Sequence, residues 1–422
     1  MPRNGRVINS LRDISLFCDR LFNTPRSLTT CDILVQVENF LSGGLENAVL
    51  GIITALRSDG WVVGLLILGE TGSAAKKAEM LGIPVIVKKF EPEQYEKILL
   101  QVSPIAVLSN YSPHGADICG KLKIPIIQVI HNVYMWLTDS QKEEFQIADK
   151  NTKAYIACSD FAMQYSTKRL GISPEKCVVI PYGIDIEAIK KTNFQKERSE
   201  LREKIKISDN EFVFVSVAAI NYQKNPLGAV RSFHRTLFDC PNSKFVLLGP
   251  VYEETLLEEI QKYTKQNALG DRVIYAGASS DAYPYFAMAD AFICTSFFEG
   301  GPLVLLEALA SNLPIVTNRV GFADLFGNQE GVSIVCPPVD IIDYHGGLPE
   351  LRSTEDFEER FAAEMKNVYF HPTRPGLGPD LLEKMDKKHM YKLYAKYIRH
   401  VISGENEAFN LHREESWSRN YL

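Results

Sequence analysis

The chain has 422 residues, a net charge of −6, and 45% hydrophobic against 23% charged residues. These are the proportions of an ordinary globular protein of two or three domains, on a prior of roughly 100–200 residues each. The acidic balance rules out a global basic field for nucleic acid, and no apolar run approaches the roughly 18 residues of a membrane span.

The eight cysteines are scattered, without a CxxC pair or His at metal-ligand spacing. Reduced, buried cysteines in a cytoplasmic protein are the expectation. Residues 1–30 stand apart. Ile8, Leu11, Ile14, Cys18 and Leu21 form a stripe at helical spacing, with arginines at 3, 6, 12, 20 and 26. The spacing predicts an amphipathic helix, packed on a domain edge or serving as a peripheral membrane or partner contact.

Residues 31–188 change rhythm. DILVQV, WVVGLLILG, IAVLSN, PIIQVIH, KAYIACSD and CVVIPYGID are short apolar runs, with helical stretches such as SGGLENAVLGIITALRSDG and GADICGKLK among them. Such alternation predicts parallel strands covered on both faces. Residues 186–210 are charged and read as the connection between domains. The pattern restarts over residues 189–380 with EFVFVSVAAI, SKFVLLGP, RVIYAG, DAFICTSF and PIVTN as strands. Past Pro337 one helix is expected near residues 354–367. LLEKMDKKHMYKLYAKYIRHVI, within residues 381–422, reads as one long terminal helix packing back across the domains. The expected architecture is α/β, with two facing Rossmann-like domains and a cleft at the carboxyl ends of their strands.

In SFFEGGPLVLLEALASNLPIV, residues 296–316, one acid, Glu307, interrupts an apolar helix, and a second, Glu299, precedes it beside Gly300 and Gly301. Burial of a lone carboxylate costs several kcal/mol, so a partner is needed. Pro302 suits the first helical position. The helix would then start with free N–H groups, including those of Leu303 and Val304, and a positive dipole end that attracts an anion. Helical side chains lean toward the N-terminus, so Glu307 could reach an anionic ligand there while Glu299 reaches it from the loop. A nucleotide sugar fits both acids. A structural ion pair for Glu307 is the alternative.

EGGPLVLLEALASNLPIV resembles the E-x7-E signature of retaining glycosyltransferases of the GT-B fold, the glycogen-synthase-like and lipopolysaccharide-mannosyltransferase-like group. LSGGLENAV, VIPYGID and VAAINYQKNP resemble further motifs of that group in the same order. The resemblance implies transfer of a sugar from a nucleotide-sugar donor to a glycan or lipid-linked acceptor hydroxyl, with retention of anomeric configuration. It implies catalytic roles for Glu299, His131 and Lys224. Glu299 would hold the donor sugar, His131 would hydrogen-bond it, and Lys224 would neutralise the leaving diphosphate. Gly43, Gly44, Gly300, Gly301, Leu303, Val304 and Glu307 would bind the donor, with Glu307 on the ribose. Gly183 and Asp185 would sit at the hinge. No DxD or HExxH pattern is present, so no metal or other cofactor is expected. The group carries an Arg five residues before the Lys, where this chain has Ala219; Arg319 is a candidate replacement. A non-catalytic nucleotide-sugar-binding subunit and a nucleotide-sugar epimerase share the architecture and stay open.

Overall fold

The computed structural model describes residues 30–403 except 42, 111 and 280. The expected helix in residues 1–30 therefore lies outside the described residues, as does the end of the terminal segment. Among the described residues there are two parallel sheets. The first contains β1 (Ile33–Val37), β2 (Val63–Ile67), β3 (Val85–Val87), β4 (Ala106–Asn110), β5 (Ile126–Ile130), β6 (Thr152–Ala157) and β7 (Cys177–Val179), in the order β3-β2-β1-β4-β5-β6-β7. The second contains β8 (Phe212–Val217), β9 (Ser243–Leu248), β10 (Val273–Tyr275), β11 (Ala291–Cys294), β12 (Ile315–Asn318) and β13 (Val332–Val335), in the order β10-β9-β8-β11-β12-β13. Each order reverses once beside the first strand of its half, the doubly wound arrangement of two Rossmann-like domains.

The central strands are fully buried, as β1, β2, β4 and β5 show at every position. Helices on both faces exclude water, so most side chains facing either way are apolar. The edge strands β3 and β13 carry half-buried and exposed positions. Their weak apolar signal explains why the sequence alone does not reveal them. Short or polar helices at Ser73–Met80, Pro92–Val102 and Asp139–Asp149 escape for the same reason.

Two differences from expectation matter for the site. Pro302 does not occupy the first helical turn but precedes it in extended conformation, and the helix runs Leu303–Ala310. The terminal segment is not one helix. It breaks between Pro379–Lys384 and Lys387–Ser403, because the chain there crosses between domains. Ile184 N–H donates to the Met385 carbonyl at 2.8 Å, and Lys387 N–H donates to the Ile184 carbonyl at 2.8 Å. The two interdomain crossings thus run side by side. Leu381 and Met385 stay in the core of the second domain. Met390, Leu393, Tyr394 and Ile398 join that of the first, packing with Ile52 and Leu56 of the helix Gly44–Ser58. No helix among the described residues is long and apolar enough to cross a membrane.

Candidate active site

The carboxyl ends of both sheets meet at the interdomain face. After β8, Asn221 accepts from the Lys224 N–H at 3.0 Å and holds a single 3-10 turn, Tyr222–Lys224. Asn225 follows with φ 52° and caps the helix Pro226–Thr236. After β11, the Thr295 hydroxyl donates to the carbonyls of Lys224 and Asn225 at 3.2 and 3.0 Å. The Phe297 N–H donates to the Gln223 carbonyl at 2.8 Å. These bonds fasten the loop carrying Lys224 to the loop carrying Glu299. Lys224 Nζ lies 2.5 Å from Glu299 Oε1, and Gln223 Nε2 donates to Glu299 Oε2 at 3.2 Å. Glu299 is 5% exposed. Both its oxygens are therefore satisfied by groups that nothing but the fold brings near.

Glu307 is solved differently. It is half-buried, and no hydrogen bond or ion pair reaches its carboxylate among the described residues. Burial, with Asp281 nearby, pushes its pKa up to about 7. The structural ion pair that would explain an acid in LVLLEALA is absent. Instead Glu307 lines a cleft of about 1140 Å³ with Gly44, Tyr182, Asp281, Tyr283 and Leu303. Gly43, at φ 153° and ψ −169°, occupies backbone space essentially reserved for glycine. It turns the chain into the helix that Gly44 opens. A Cβ on Gly44 would stand 3.8 Å from Leu303 Cδ1. Two helix N-termini, one per domain, thus converge on one cleft, where free N–H groups and positive dipole ends favour an anion.

The glycines before the helix serve the approach of the domains. A Cβ on Gly300 would collide with the His131 carbonyl and stand 2.6 Å from Asn132 Cα. The Ser159 hydroxyl donates to the Gly300 carbonyl at 2.5 Å across the same junction. Gly301 has no such backbone neighbour, but a Cβ there would press on the Phe322 ring at 2.9 Å.

His131, just past β5, is buried and its pKa falls to about 3 because burial disfavours the charged ring. Asn110 Nδ2 donates to two carbonyls, so its Oδ1 accepts from His131 Nε2 at 2.9 Å. Nδ1 is left to accept from the Tyr182 hydroxyl. His131 is neutral, with both ring nitrogens engaged.

The sequence-predicted residues therefore fall in three neighbouring groups. Gly44, Leu303 and Glu307 share the cleft. Lys224 and Glu299 pair beside it. His131 backs against Gly300. Val304 follows Leu303 in the first turn. Arg319 is not brought to Lys224: it pairs with Asp324 at 3.1 Å and lines a separate cleft with Ser159, Asp160 and Pro181. Asp185 accepts from the Ala188 N–H at 2.9 Å and pairs with Lys387 at 2.5 Å, fixing the crossing. Sequence reasoning missed Gln223, Asn110 and Tyr182. Tyr182 stood in the quoted VIPYGID; the other two are polar residues at loop and strand ends without a distinguishing pattern.

The family model described as "Glycosyl transferases group 1" matches residues 197–368, and "Glycosyltransferase Family 4" matches residues 42–188. Between them they take in both domains. The chain is a glycosyltransferase of the GT-B fold. An Escherichia coli UDP-Gal:alpha-D-GlcNAc-diphosphoundecaprenol alpha-1,3-galactosyltransferase is 26% identical over 66% of this glycosyltransferase and 71% of its own length. The alpha-monoglucosyldiacylglycerol synthase of Acholeplasma laidlawii is 23% identical over 65% and 69%. Among solved structures, a Rickettsia africae glycosyltransferase superposes with a TM-score of 0.68 at 16% identity, covering 89% of this chain and 99% of its own. The Anabaena protein HepE in complex with UDP gives 0.66 at 17%, covering 88% and 96%.

A carboxyl whose pKa rises from 4.5 to about 7 on folding binds protons more tightly when folded. Its contribution to stability therefore falls as pH climbs through that window and is flat above it. Glu307→Gln should melt higher than wild type at pH 8, by a margin on the order of 1–3 kcal/mol, and level with wild type at pH 4, below both pKa values. Thermal melts at the two pH values decide it; a variant that melts lower at both has lost a partner instead.

Removing Lys224 leaves a buried, half-satisfied carboxylate. Lys224→Met should cost about 3 kcal/mol, the lower end for breaking a buried pair, since Gln223 still donates to Glu299. Lys224→Met combined with Glu299→Gln should recover most of that in denaturant titrations. A single variant as stable as wild type would contradict the pairing.

Proposed function

We propose that this glycosyltransferase moves a sugar from a nucleoside diphosphate sugar to a hydroxyl of a glycan or lipid-linked acceptor, with retention of anomeric configuration. Glu307 carries the reading: a half-buried carboxylate without a partner among the described residues, opening on a cleft where two helix N-termini meet. A ribose would supply the missing donors, and a diphosphate the anion. Donor and acceptor class are supported by the similar galactosyltransferase, whose name specifies UDP-Gal and a diphosphoundecaprenol, and by the similar alpha-monoglucosyldiacylglycerol synthase. The E-x7-E pattern supports retention.

In the donor-free protein Lys224 and Glu299 neutralise each other. The donor offers each a replacement: phosphate oxygens for the Lys224 ammonium, sugar hydroxyls for the Glu299 carboxylate. Both charges are then aimed at what develops during transfer, negative charge on the leaving diphosphate and positive charge at the anomeric carbon. His131, neutral throughout the working range, reaches the sugar by exchanging one ring partner, Tyr182 or Asn110. Lys224 and the helix N-termini carry the leaving group in place of a divalent ion. The enzyme acts in the cytoplasm and meets its acceptor at the membrane surface.

Transfer assays with a panel of nucleotide sugars, followed by NMR of the product anomer, test this. An α-linked product from an α-linked donor is expected. Sugar isomerisation without acceptor would point to an epimerase, and donor binding without transfer to a binding subunit. Glu299→Gln should lower kcat by about 10²–10³ with little change in donor KM, because the lost contact strengthens in the transition state. Wild-type turnover in that variant would remove the role from Glu299. EDTA should leave the rate unchanged; a loss restored by magnesium or manganese would mean that a metal carries the diphosphate.

A further inference from the structure

Apart from the donor cleft, the first domain holds a polar cluster that the transfer chemistry above does not use. Gln36 and Ser109 are fully buried in β1 and β4, among apolar neighbours. Gln36 Nε2 donates to Ser109 Oγ at 3.3 Å and to the His114 carbonyl at 3.0 Å. The Tyr95 hydroxyl donates to Gln36 Oε1 at 2.5 Å, and Ser109 Oγ donates to the Ser112 carbonyl at 2.7 Å. A fully satisfied buried network of this kind rigidifies what it supports. It supports the loop after β4.

On that platform, Glu38 Oε1 accepts from the Ser112 hydroxyl and from His114 Nδ1, the latter at 2.6 Å. Phe90 stacks on the His114 ring with centroids 4.5 Å apart. His114 Nε2 stands 3.8 Å from Glu144, beyond hydrogen-bond distance. Glu38 Oε2 has no partner among the described residues. The hydrogen bond to Glu38 raises the His114 pKa against the effect of burial. Burial pushes Glu38 up, but the bonds from His114 and Ser112 prevail and its pKa is lowered. The hydrogen bond thus favours the charged form of each partner, and both side chains stay partly exposed, 35% for His114 and 25% for Glu38.

Glu38 ends β1 and His114 follows β4. These strands are neighbours, and the strand order of the first sheet reverses between them. Open α/β sheets bind ligands at that crevice. Asn110, the last residue of β4, bonds His131, and the His131 carbonyl abuts Gly300. The cluster thus stands on β1 and β4, beside β5, whose end abuts the loop that carries Glu299.

We propose that Glu38, Ser112 and His114 hold the acceptor by the hydroxyls of a neutral sugar ring, and not by a phosphate. The assignment rests on the transferase reading. One hydroxyl of a vicinal pair donates to Glu38 Oε2, and its neighbour accepts from His114 Nε2–H. Glu144 is placed to take a further hydroxyl. Two carboxylates face one imidazole, so the cluster is net negative in either form of the ring and repels an anion. An acceptor linked to lipid through phosphate would therefore present its sugar here and its phosphate elsewhere.

Titration of the full chain with methyl α-D-glucopyranoside, methyl α-D-galactopyranoside and glucose 1-phosphate, with and without UDP, tests the proposal. Saturation-transfer NMR reads the weak binding. At least one glycoside is expected to bind wild type, and glucose 1-phosphate at least tenfold more weakly. Glu38→Gln and His114→Gln should each lose tenfold or more in glycoside affinity while UDP affinity stays within twofold. Should one variant fail to fold, the other carries the comparison. The proposal is overturned if no glycoside binds wild type, if glucose 1-phosphate binds as tightly, if the variants keep glycoside affinity, or if UDP affinity falls in parallel. A chain that binds glycoside through these residues but never UDP would overturn the donor assignment alone.

Discussion

The missing side chain of Gly300 sets how closely the two domains approach. Its backbone lies against the His131 carbonyl and Asn132 Cα, and Ser159 bonds its carbonyl across the same gap. Much of the site follows from that contact. It buries the Glu299 carboxylate under the first domain. It places the N-terminus of Leu303–Ala310 opposite Gly44. It brings the ends of β4 and β5, with Asn110 and His131, up to the loop after β11. A Cβ there would meet backbone on the other side, which cannot rotate away as a side chain could.

Within eight residues of sequence the protein handles a buried and a half-buried acid in opposite ways. Glu299 is satisfied by Lys224 and Gln223, and the loops bearing those residues are tied to its own by Thr295 and Phe297. Glu307 is left unpaired, and part of its charge is lost to protonation near neutrality. An apolar residue at that helical position would be more stable, and on the proposed reading a ligand supplies the missing partner. Strain of this sort at functional positions is the usual exchange of stability for activity.

The sheets were legible because fully buried parallel strands read as nearly unbroken apolar runs, as VGLLI and AFIC do. Edge strands such as VIV at 85–87 were not, because half their side chains face water. Glu299, Lys224 and Glu307 could be singled out from sequence, since charge inside apolar or glycine-rich context is locally visible. Their pairing could not: Lys224 meets Glu299 only because β8 and β11 are neighbours, a fact of topology. Gly300, a donor-binding candidate in sequence, also makes room for the other domain, a contact between segments far apart in the chain. The break at Asp386 was hidden for a related reason, because helical periodicity continues through it while the crossing with Ile184 interrupts the backbone.

On the proposed reaction, the attacking hydroxyl must shed a proton, and each titratable side chain around it is already committed. His131 has a pKa near 3 and both ring nitrogens engaged. Glu299 accepts from a cation and an amide. His114 Nδ1 is bonded to Glu38, which favours the charged ring over the free base. Glu307 has a pKa suited to a base, but it lines the cleft with Asp281 and Tyr283, and Glu299 does not. What remains is the oxygen of the departing diphosphate, which gains basicity as its bond to the sugar breaks. A proton passed to the leaving group requires attack from the side on which that group departs, which is the geometry of retention. It also requires that water be kept out. The Gly300–His131 contact and the Ser159 bond hold the junction closed at the point where that exclusion is needed.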